Sequence, residues 1–199
     1  MSLIKFSPWI GSEFRRQEIR LLLLGESHHA YEDEGVDEQL TRLVVECYIN
    51  ATSHEPWHDY FSKLSRLVRG RDYPLNHDSK EKFWNSVSFY NYIQEIVDDH
   101  GHGARPTPDM WSTAMEPFGE VVRLLKPTHV IVTGVDLWWH VSGGKPFADT
   151  DVVFSWEPSE AVTIRGCCAR AIGIVHPSGG MSYDREGGRV ASFLRGQPV

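Results

Sequence analysis

The sequence predicts a three-layer α/β/α domain around a mostly parallel sheet, and three observations support this fold class. Apolar runs over 19–25, 129–134 and 170–175 have the length and composition of buried strands. Amphipathic segments separate these runs, and strands that alternate with helices pair in parallel. The 199 residues, 41% hydrophobic and 24% charged, suit one globular domain over 1–199.

The first elements follow from the spacing of apolar residues. Gly25 closes the first strand, because glycine lets the backbone turn sharply after the leucines that end at Leu24. An amphipathic helix is expected over 36–51, and a second from about Trp57 to Val68. The apolar positions of the first helix are Leu40, Leu43, Val44 and Cys47. Those of the second are Tyr60, Phe61, Leu64 and Leu67.

The middle of the chain mixes two periodicities. In "KEKFWNSVSFYNYIQEIV", residues 80–97, the first half alternates as a strand does and the second half has helical spacing. We therefore expect a short strand near 85–89.

The next helix has clear ends and an unusual interior. Asp109 is expected to cap its start, and Lys126-Pro127 to end it. Pro117 lies inside the pattern, so a kink or break is expected near Glu116.

The C-terminal third predicts two strands and a helix. The strands are expected at "AVTIRG", residues 161–166, and within "CARAIGIVH", where 170–175 belong to the parallel sheet. The helix is expected within 182–196, where Gly187 and Gly188 weaken it.

Composition excludes several classes of protein. The formal charge of −7 argues against a surface that holds nucleic acid nonspecifically, because such binding relies on basic side chains. No apolar stretch of the sequence approaches the roughly 20 residues that cross a bilayer, and the N-terminus lacks a signal-peptide pattern, so we expect a cytoplasmic protein with no membrane partner. Cys47, Cys167 and Cys168 cannot supply a four-cysteine cluster. No cofactor or metal is expected, and a monomer is favoured.

Polar residues follow the predicted strands. In open α/β sheets, ligands bind beyond the carboxyl ends of the strands, so these residues are candidates for a site. They are Glu26, Ser27, His28 and His29 after the first strand, Asn85 and Asn91 in the ambiguous segment, Asp136 after the second strand, and His176 and Ser178 after the last.

The position of a proline argues against one apparent metal-binding motif. "HEPWH" matches the H-E-x-x-H pattern of zinc proteases, with His54 and His58 at the required spacing. That chemistry requires both histidines on one continuous helix. Pro56 between them belongs at the start of the helix that follows, which leaves His54 outside it.

Read together, these pieces resemble the uracil-DNA glycosylase superfamily. The strand that ends in "GES" is similar to its first motif, and "FWNSVSFYN" to its asparagine-bearing segment. "KPTHVIVTGVDLW" resembles its helix-then-strand core, and "HPSGG" matches its HPS histidine motif. The four matches follow one another in the family's order, across roughly residues 20–195.

The resemblance implies an enzyme that excises uracil or another deaminated base from DNA by hydrolysing the N-glycosidic bond. His176 would donate a hydrogen bond to the departing base, and Glu26 or Glu32 would supply the carboxylate near the sugar. Asn85 would read the edge of the flipped base. Substrate-binding roles would also fall to Gly25, Ser27, His28, Ser178 and Met181, with Met181 the candidate wedge for the gap that a flipped base leaves.

The chain departs from the family pattern at the first motif. Ser27, His28 and His29 stand where the best-known members carry an aspartate followed by Pro-Tyr, or the continuation Ala-Pro-Gly. Other members place an acid several residues later, where this chain has Glu32 and Asp33. The motif alone therefore does not assign the residue that activates water.

Two alternatives stay open. A catalytically inactive protein of the same fold would bind a nucleotide or nucleic acid without cutting it, as the missing aspartate and the acidic charge favour. An unrelated hydrolase would use Glu26 and the His28–His29 pair, with a metal ion as a further possibility.

Overall fold

The computed structural model describes residues 3–30, 38–98, 104–143, 152–155 and 168–196. The strands in this part of the chain are Trp9–Ile10 (β1), Leu21–Gly25 (β2), His28–Ala30 (β3), Ser88–Asn91 (β4), Ile96–Asp98 (β5), His129–Thr133 (β6), Val152–Ser155 (β7) and Cys168–Ile174 (β8). The α-helices are Leu40–Asn50 (α1), His58–Arg69 (α2), His77–Ser86 (α3), Pro108–Leu125 (α4), Val135–Val141 (α5) and Tyr183–Leu194 (α6). One turn of 3-10 helix covers Phe14–Arg16.

The central sheet is mostly parallel. Its strand order is β1-β4-β2-β6-β8-β7, and the four inner strands run in the same direction. The edge strands β1 and β7 are antiparallel to their neighbours. Strands β3 and β5 form a separate two-stranded parallel sheet. The protein is therefore a mixed α/β fold.

Helices pack on both faces of the central sheet because the inner strands are apolar on both sides. Leu22 and Leu24 enter the first core, which also contains residues of α4 and α5. Leu21 and Leu23 enter the second core, on the opposite face of the sheet, which contains residues of α1, α2, α3 and α6. Successive side chains of a strand point to opposite faces, so one run of leucines supplies both cores.

Most of the predicted elements are confirmed. The runs over 19–25, 129–134 and 170–175 correspond to β2, β6 and β8, and all three lie in the parallel part of the sheet. The helices predicted over 36–51, from Trp57 to Val68 and within 182–196 correspond to α1, α2 and α6. The strand predicted at 161–166 lies outside the described residues.

The strand predicted near 85–89 is wrong in its position. Residues His77–Ser86 form α3, which Asn76 caps by accepting a hydrogen bond from the Ser79 backbone N–H at 2.9 Å. The strand follows at Ser88–Asn91, and the stretch expected to be helical contains β5. Phe83 and Trp84, in the last turn of this helix, pack in the same core as Phe89 of the strand. The two apolar patterns therefore run together in the sequence.

Helix α4 also differs from expectation. Its N-cap is Thr107 instead of Asp109, and the Thr107 hydroxyl accepts from the Met110 backbone N–H at 3.3 Å. The helix runs unbroken past Pro117, which is buried, so the expected break is absent from it. Lys126 ends the helix in a left-handed conformation, with φ 49°, as the Lys-Pro pair predicted.

Candidate functional site

The four parallel strands bring polar residues to one edge of the sheet. Glu26 follows β2, Asn91 is the last residue of β4, Thr133 is the last residue of β6 and His176 follows β8. Parallel strands that lie in register end at the same level, so residues that are far apart in sequence meet at this edge. We call this the carboxyl edge.

His176 is held as a neutral imidazole with a defined tautomer. The Ser178 backbone N–H donates to its Nδ1 at 3.2 Å, so Nδ1 is the acceptor and the ring proton resides on Nε2. Burial lowers the pKa of His176 below the usual 6.5. Positive charge on three neighbours lowers this pKa further: Arg105, His29 and Lys63. The residue therefore presents an N–H donor without carrying a charge.

Three neighbours fix the position of this imidazole. Gly134, with φ 111°, lies beneath the ring, where an added Cβ would be 3.9 Å from Cδ2 of His176. The Tyr60 ring lies beside it, with the ring centroids 5.2 Å apart and the planes tilted by 31°. The Lys63 Nζ donates to the Pro177 carbonyl at 3.0 Å, which ties helix α2 to the loop after β8.

Tyr60 belongs to a hydrogen-bond chain that joins two strand ends. The Thr133 hydroxyl donates to the Leu24 carbonyl at 3.0 Å, so it must accept from the Tyr60 hydroxyl, which lies 2.9 Å away. Burial raises the pKa of Tyr60, so the phenol stays protonated. The chain therefore locks the ring of Tyr60 against the carboxyl edge.

Glu26 is a largely buried carboxylate beside the guanidinium of Arg105. Its side chain is 15% exposed, and its Oε1 lies 3.6 Å from Nη1 of Arg105. Burial raises the pKa of Glu26 above 4.5; Arg105 acts in the opposite direction, and Asp136 adds to the rise. A carboxylate with a raised pKa is a better proton acceptor near neutral pH than an exposed one.

Asn91 faces Gly25 across the two neighbouring strands β4 and β2. The Asn91 Oδ1 packs so closely over Gly25 that a Cβ at that position would collide with it. Asn91 is only 6% exposed, so its amide lies in a nearly closed position. A carboxamide there is suited to a ligand edge that offers both a donor and an acceptor.

A cavity of about 170 Å³ opens beside Glu26. Helices α4 and α5 and the loop before α4 supply the rest of its wall, which combines two carboxylates, one guanidinium and three aromatic rings. The lining residues are Glu26, Arg105, Pro106, Trp111, Asp136, Trp139 and His140.

The sequence-predicted site residues separate into two groups. Glu26 and His176 both lie at the carboxyl edge, where each is close enough to Arg105 for its charge to shift their pKa values. Gly25 lies there too, and Ser178 contributes its backbone N–H to His176. The Ser27 Oγ lies 3.4 Å from Nε2 of the exposed His29.

Four other predicted residues lie elsewhere or cannot be placed. Asn85 is in α3, before the start of β4, and therefore at the opposite edge of the sheet from Asn91. His28 is buried, with its Nε2 2.8 Å from the Thr41 hydroxyl. Met181 packs against the second core. Glu32 lies outside the described residues.

Sequence reasoning missed several residues of this site. Tyr60, Lys63 and Arg105 were not singled out, because each reaches the edge from a helix or loop distant in sequence. Asn91 was noted only as a polar residue of an ambiguous segment. One signal for Asn91 was available in the sequence. The segment "SFYN" resembles "LLLLG", since each is a mostly apolar run that ends in one polar or turn-forming residue.

Among the described residues, no group of three or more His, Cys, Asp or Glu side chains is arranged to hold a metal ion. No helix in the same part of the chain has the length and apolar character needed to cross a membrane.

Comparisons with known proteins add no family to this geometry. No protein-family model matches the chain, and no curated protein matches it significantly.

Proposed function

We propose that this protein is a DNA glycosylase that excises uracil or another deaminated base by hydrolysing the N-glycosidic bond. The observation that carries the proposal is the tautomer of His176. Its Nδ1 accepts from the Ser178 N–H, so the ring proton resides on Nε2, which is a neutral donor. A neutral N–H donor suits a base that leaves as an anion, because it stabilises developing charge without first transferring a proton.

The architecture supports the same proposal. Helices on both faces of a mostly parallel sheet, with "GES" after β2 and "HPS" after β8, fit a uracil-DNA glycosylase-like α/β/α sandwich. The first and last motifs of the resemblance follow two strands that are separated by β6 alone. We propose this fold as the finer description of the α/β architecture.

The proposed reaction breaks the bond between C1′ of deoxyribose and a ring nitrogen of the base. The electron pair leaves with the base, whose developing oxygen charge accepts a hydrogen bond from His176 Nε2–H. The sugar becomes a cation at C1′, which the Glu26 carboxylate stabilises. Water adds to C1′ and loses a proton to Glu26, giving an abasic sugar, and the base anion takes a proton from solvent.

Asn91 takes the role of base-edge reader that the resemblance assigned to Asn85. Its amide lies at the same sheet edge as Glu26 and His176, whereas Asn85 lies at the other. The edge of uracil offers an N–H donor between two carbonyl acceptors, which one carboxamide can pair with through its oxygen and its NH₂.

The proposal is tested by measuring free base released from single- and double-stranded oligonucleotides that carry uracil, hypoxanthine or xanthine. We expect release from at least one of them, and a loss of about 100- to 1,000-fold in His176→Ala. His54→Ala, which removes an exposed histidine, is the matched control and should retain the activity. Binding of these oligonucleotides without any release would replace this proposal with the non-cutting alternative.

A further inference from the structure

The cavity beside Glu26 contains an aromatic platform that the proposed reaction does not use. The rings of Trp111 and His140 stack with their centroids 4.0 Å apart and their planes 8° from parallel. Tyr92 contacts the Trp111 ring as well, with the centroids 6.0 Å apart. Trp111 also packs against the first core, so the platform is fixed in place.

Trp139 extends this platform into solvent. It lies on α5 next to His140, and it is 59% exposed, the largest exposed fraction among the large hydrophobic side chains that the structure describes. A tryptophan face left open beside a cavity is a surface on which a planar ring can stack.

The charges in the cavity select the part of a nucleotide that fits. Glu26 and Asp136 both line it, and Arg105 lies 3.6 Å and 3.9 Å from their carboxylate oxygens. Two carboxylates around one guanidinium disfavour a phosphate, whereas carboxylate oxygens accept hydrogen bonds from the N–H groups of a nucleobase. The volume of about 170 Å³ is below the roughly 300 Å³ at which small-molecule pockets begin, so it suits one ring system.

The loop after His176 supplies an independent observation. Gly179 and Gly180 present no side chain there, and Met181 packs against the second core. An enzyme that flips a base from a duplex leaves a gap in the stack, and unstacking costs a few kcal/mol unless an inserted side chain fills the gap. Among residues 178–181 the one large apolar side chain, Met181, is partly buried against the core, so no side chain of this loop is positioned as a wedge. An unpaired strand requires none.

We propose that the cavity is a second base subsite, which stacks an unpaired nucleobase next to the excised nucleotide, and that the enzyme therefore acts on single-stranded DNA. This inference rests on the proposed glycosylase function, since Glu26 belongs both to the cavity and to the proposed catalytic site. A neighbouring base can reach the platform only when it is itself unpaired.

The test measures binding of a short undamaged single strand, and of its duplex, by fluorescence anisotropy. We expect the wild-type protein to prefer the single strand, and Trp139→Ala to weaken that binding about 5- to 100-fold. Leu124→Ala, which removes another exposed apolar side chain at the far end of α4, is the control and should bind as the wild type does.

The outcomes separate this inference from the function on which it rests. Equal or tighter binding of the duplex, or unchanged binding by Trp139→Ala, overturns the subsite. If the protein releases base from a duplex and Trp139→Ala does not change that release, the subsite is also overturned, but the glycosylase function stands. If binding depends on Trp139 but no base is released from any damaged strand, the subsite stands as a nucleic-acid contact and the glycosylase function is overturned.

Discussion

The Asn91 side-chain oxygen lies directly over Gly25, the residue opposite it in the neighbouring strand. This contact requires that residue 25 have no side chain. It also means that the position of the amide at the carboxyl edge depends on the backbone of β2.

Replacing Gly25 by alanine should therefore disturb both the sheet and the amide. Gly25→Ala places a Cβ against Asn91 Oδ1, and we expect it to lower the free energy of unfolding by about 1–3 kcal/mol. Gly188→Ala is the matched control, since among the described residues no atom outside the local helix backbone lies within 4 Å of its added Cβ. There the helix should gain about 0.5–1 kcal/mol. Urea denaturation of both variants measures the two changes, and equal stabilities would refute the packing argument.

Replacing each asparagine by alanine distinguishes Asn91, the base-edge reader proposed from the structure, from Asn85, the one expected from the sequence. Asn91→Ala should reduce release of the preferred base by about 10- to 1,000-fold, because the base loses the amide that pairs with its edge. Asn85→Ala, at the other edge of the sheet, should change release less than about threefold. Steady-state release from the same oligonucleotide gives both values. A severe loss in the second variant alone would restore the role assigned to Asn85.

Removing Arg105 should move the acid side of the activity profile to higher pH. The guanidinium lowers the pKa of both Glu26 and His176, so Arg105→Gln should raise both values. The reaction requires a deprotonated Glu26 and a neutral His176. A rise in either pKa means that activity is lost at a higher pH on acidification. Arg16→Gln, on the exposed 3-10 turn, is the control. Identical profiles for wild type and Arg105→Gln would exclude this coupling.

His28 should make folding stability sensitive to acid. Burial, with a further contribution from His29, lowers the pKa of His28 from 6.5 to about 4 in the folded protein. Between pH 6.5 and about 4, His28 is therefore protonated in the unfolded chain but not in the folded protein. The resulting stability is present above pH 6.5 and is lost as the pH falls toward about 4, by about 3 kcal/mol in total.

The measurement is urea denaturation across this pH range. His28→Gln cannot titrate, so it should show a flatter dependence, although it is expected to be less stable at neutral pH. His54→Gln, an exposed substitution, should follow the wild type. The explanation fails if His28→Gln retains the full acid dependence.

The sequence was most informative where one local pattern determined one element. The leucines before Gly25 and the run before Gly134 are short, apolar on both faces and followed by glycine, and such segments have few alternatives to a buried strand. The HPS loop was predictable for the same reason, because it follows another buried strand.

The site was less predictable because its geometry depends on register and on distant contacts. Asn91 lies only six positions after Asn85, but Asn91 ends β4, whereas Asn85 lies in the helix before that strand. Tyr60 and Thr133 are 73 residues apart, and no periodicity indicates that their hydroxyls meet. Arg105 reaches Glu26 from a loop, where side-chain direction is not encoded by a repeating pattern.

The leucines of β2 also have a mechanical consequence for the molecule. Leu22 and Leu24 belong to one core, and Leu21 and Leu23 to the other. If either layer of helices detaches, one face of β2 becomes exposed while the other layer still covers the opposite face. The two halves of the interior are thus coupled through a single backbone segment, which favours all-or-none unfolding in which the carboxyl edge is lost together with both layers.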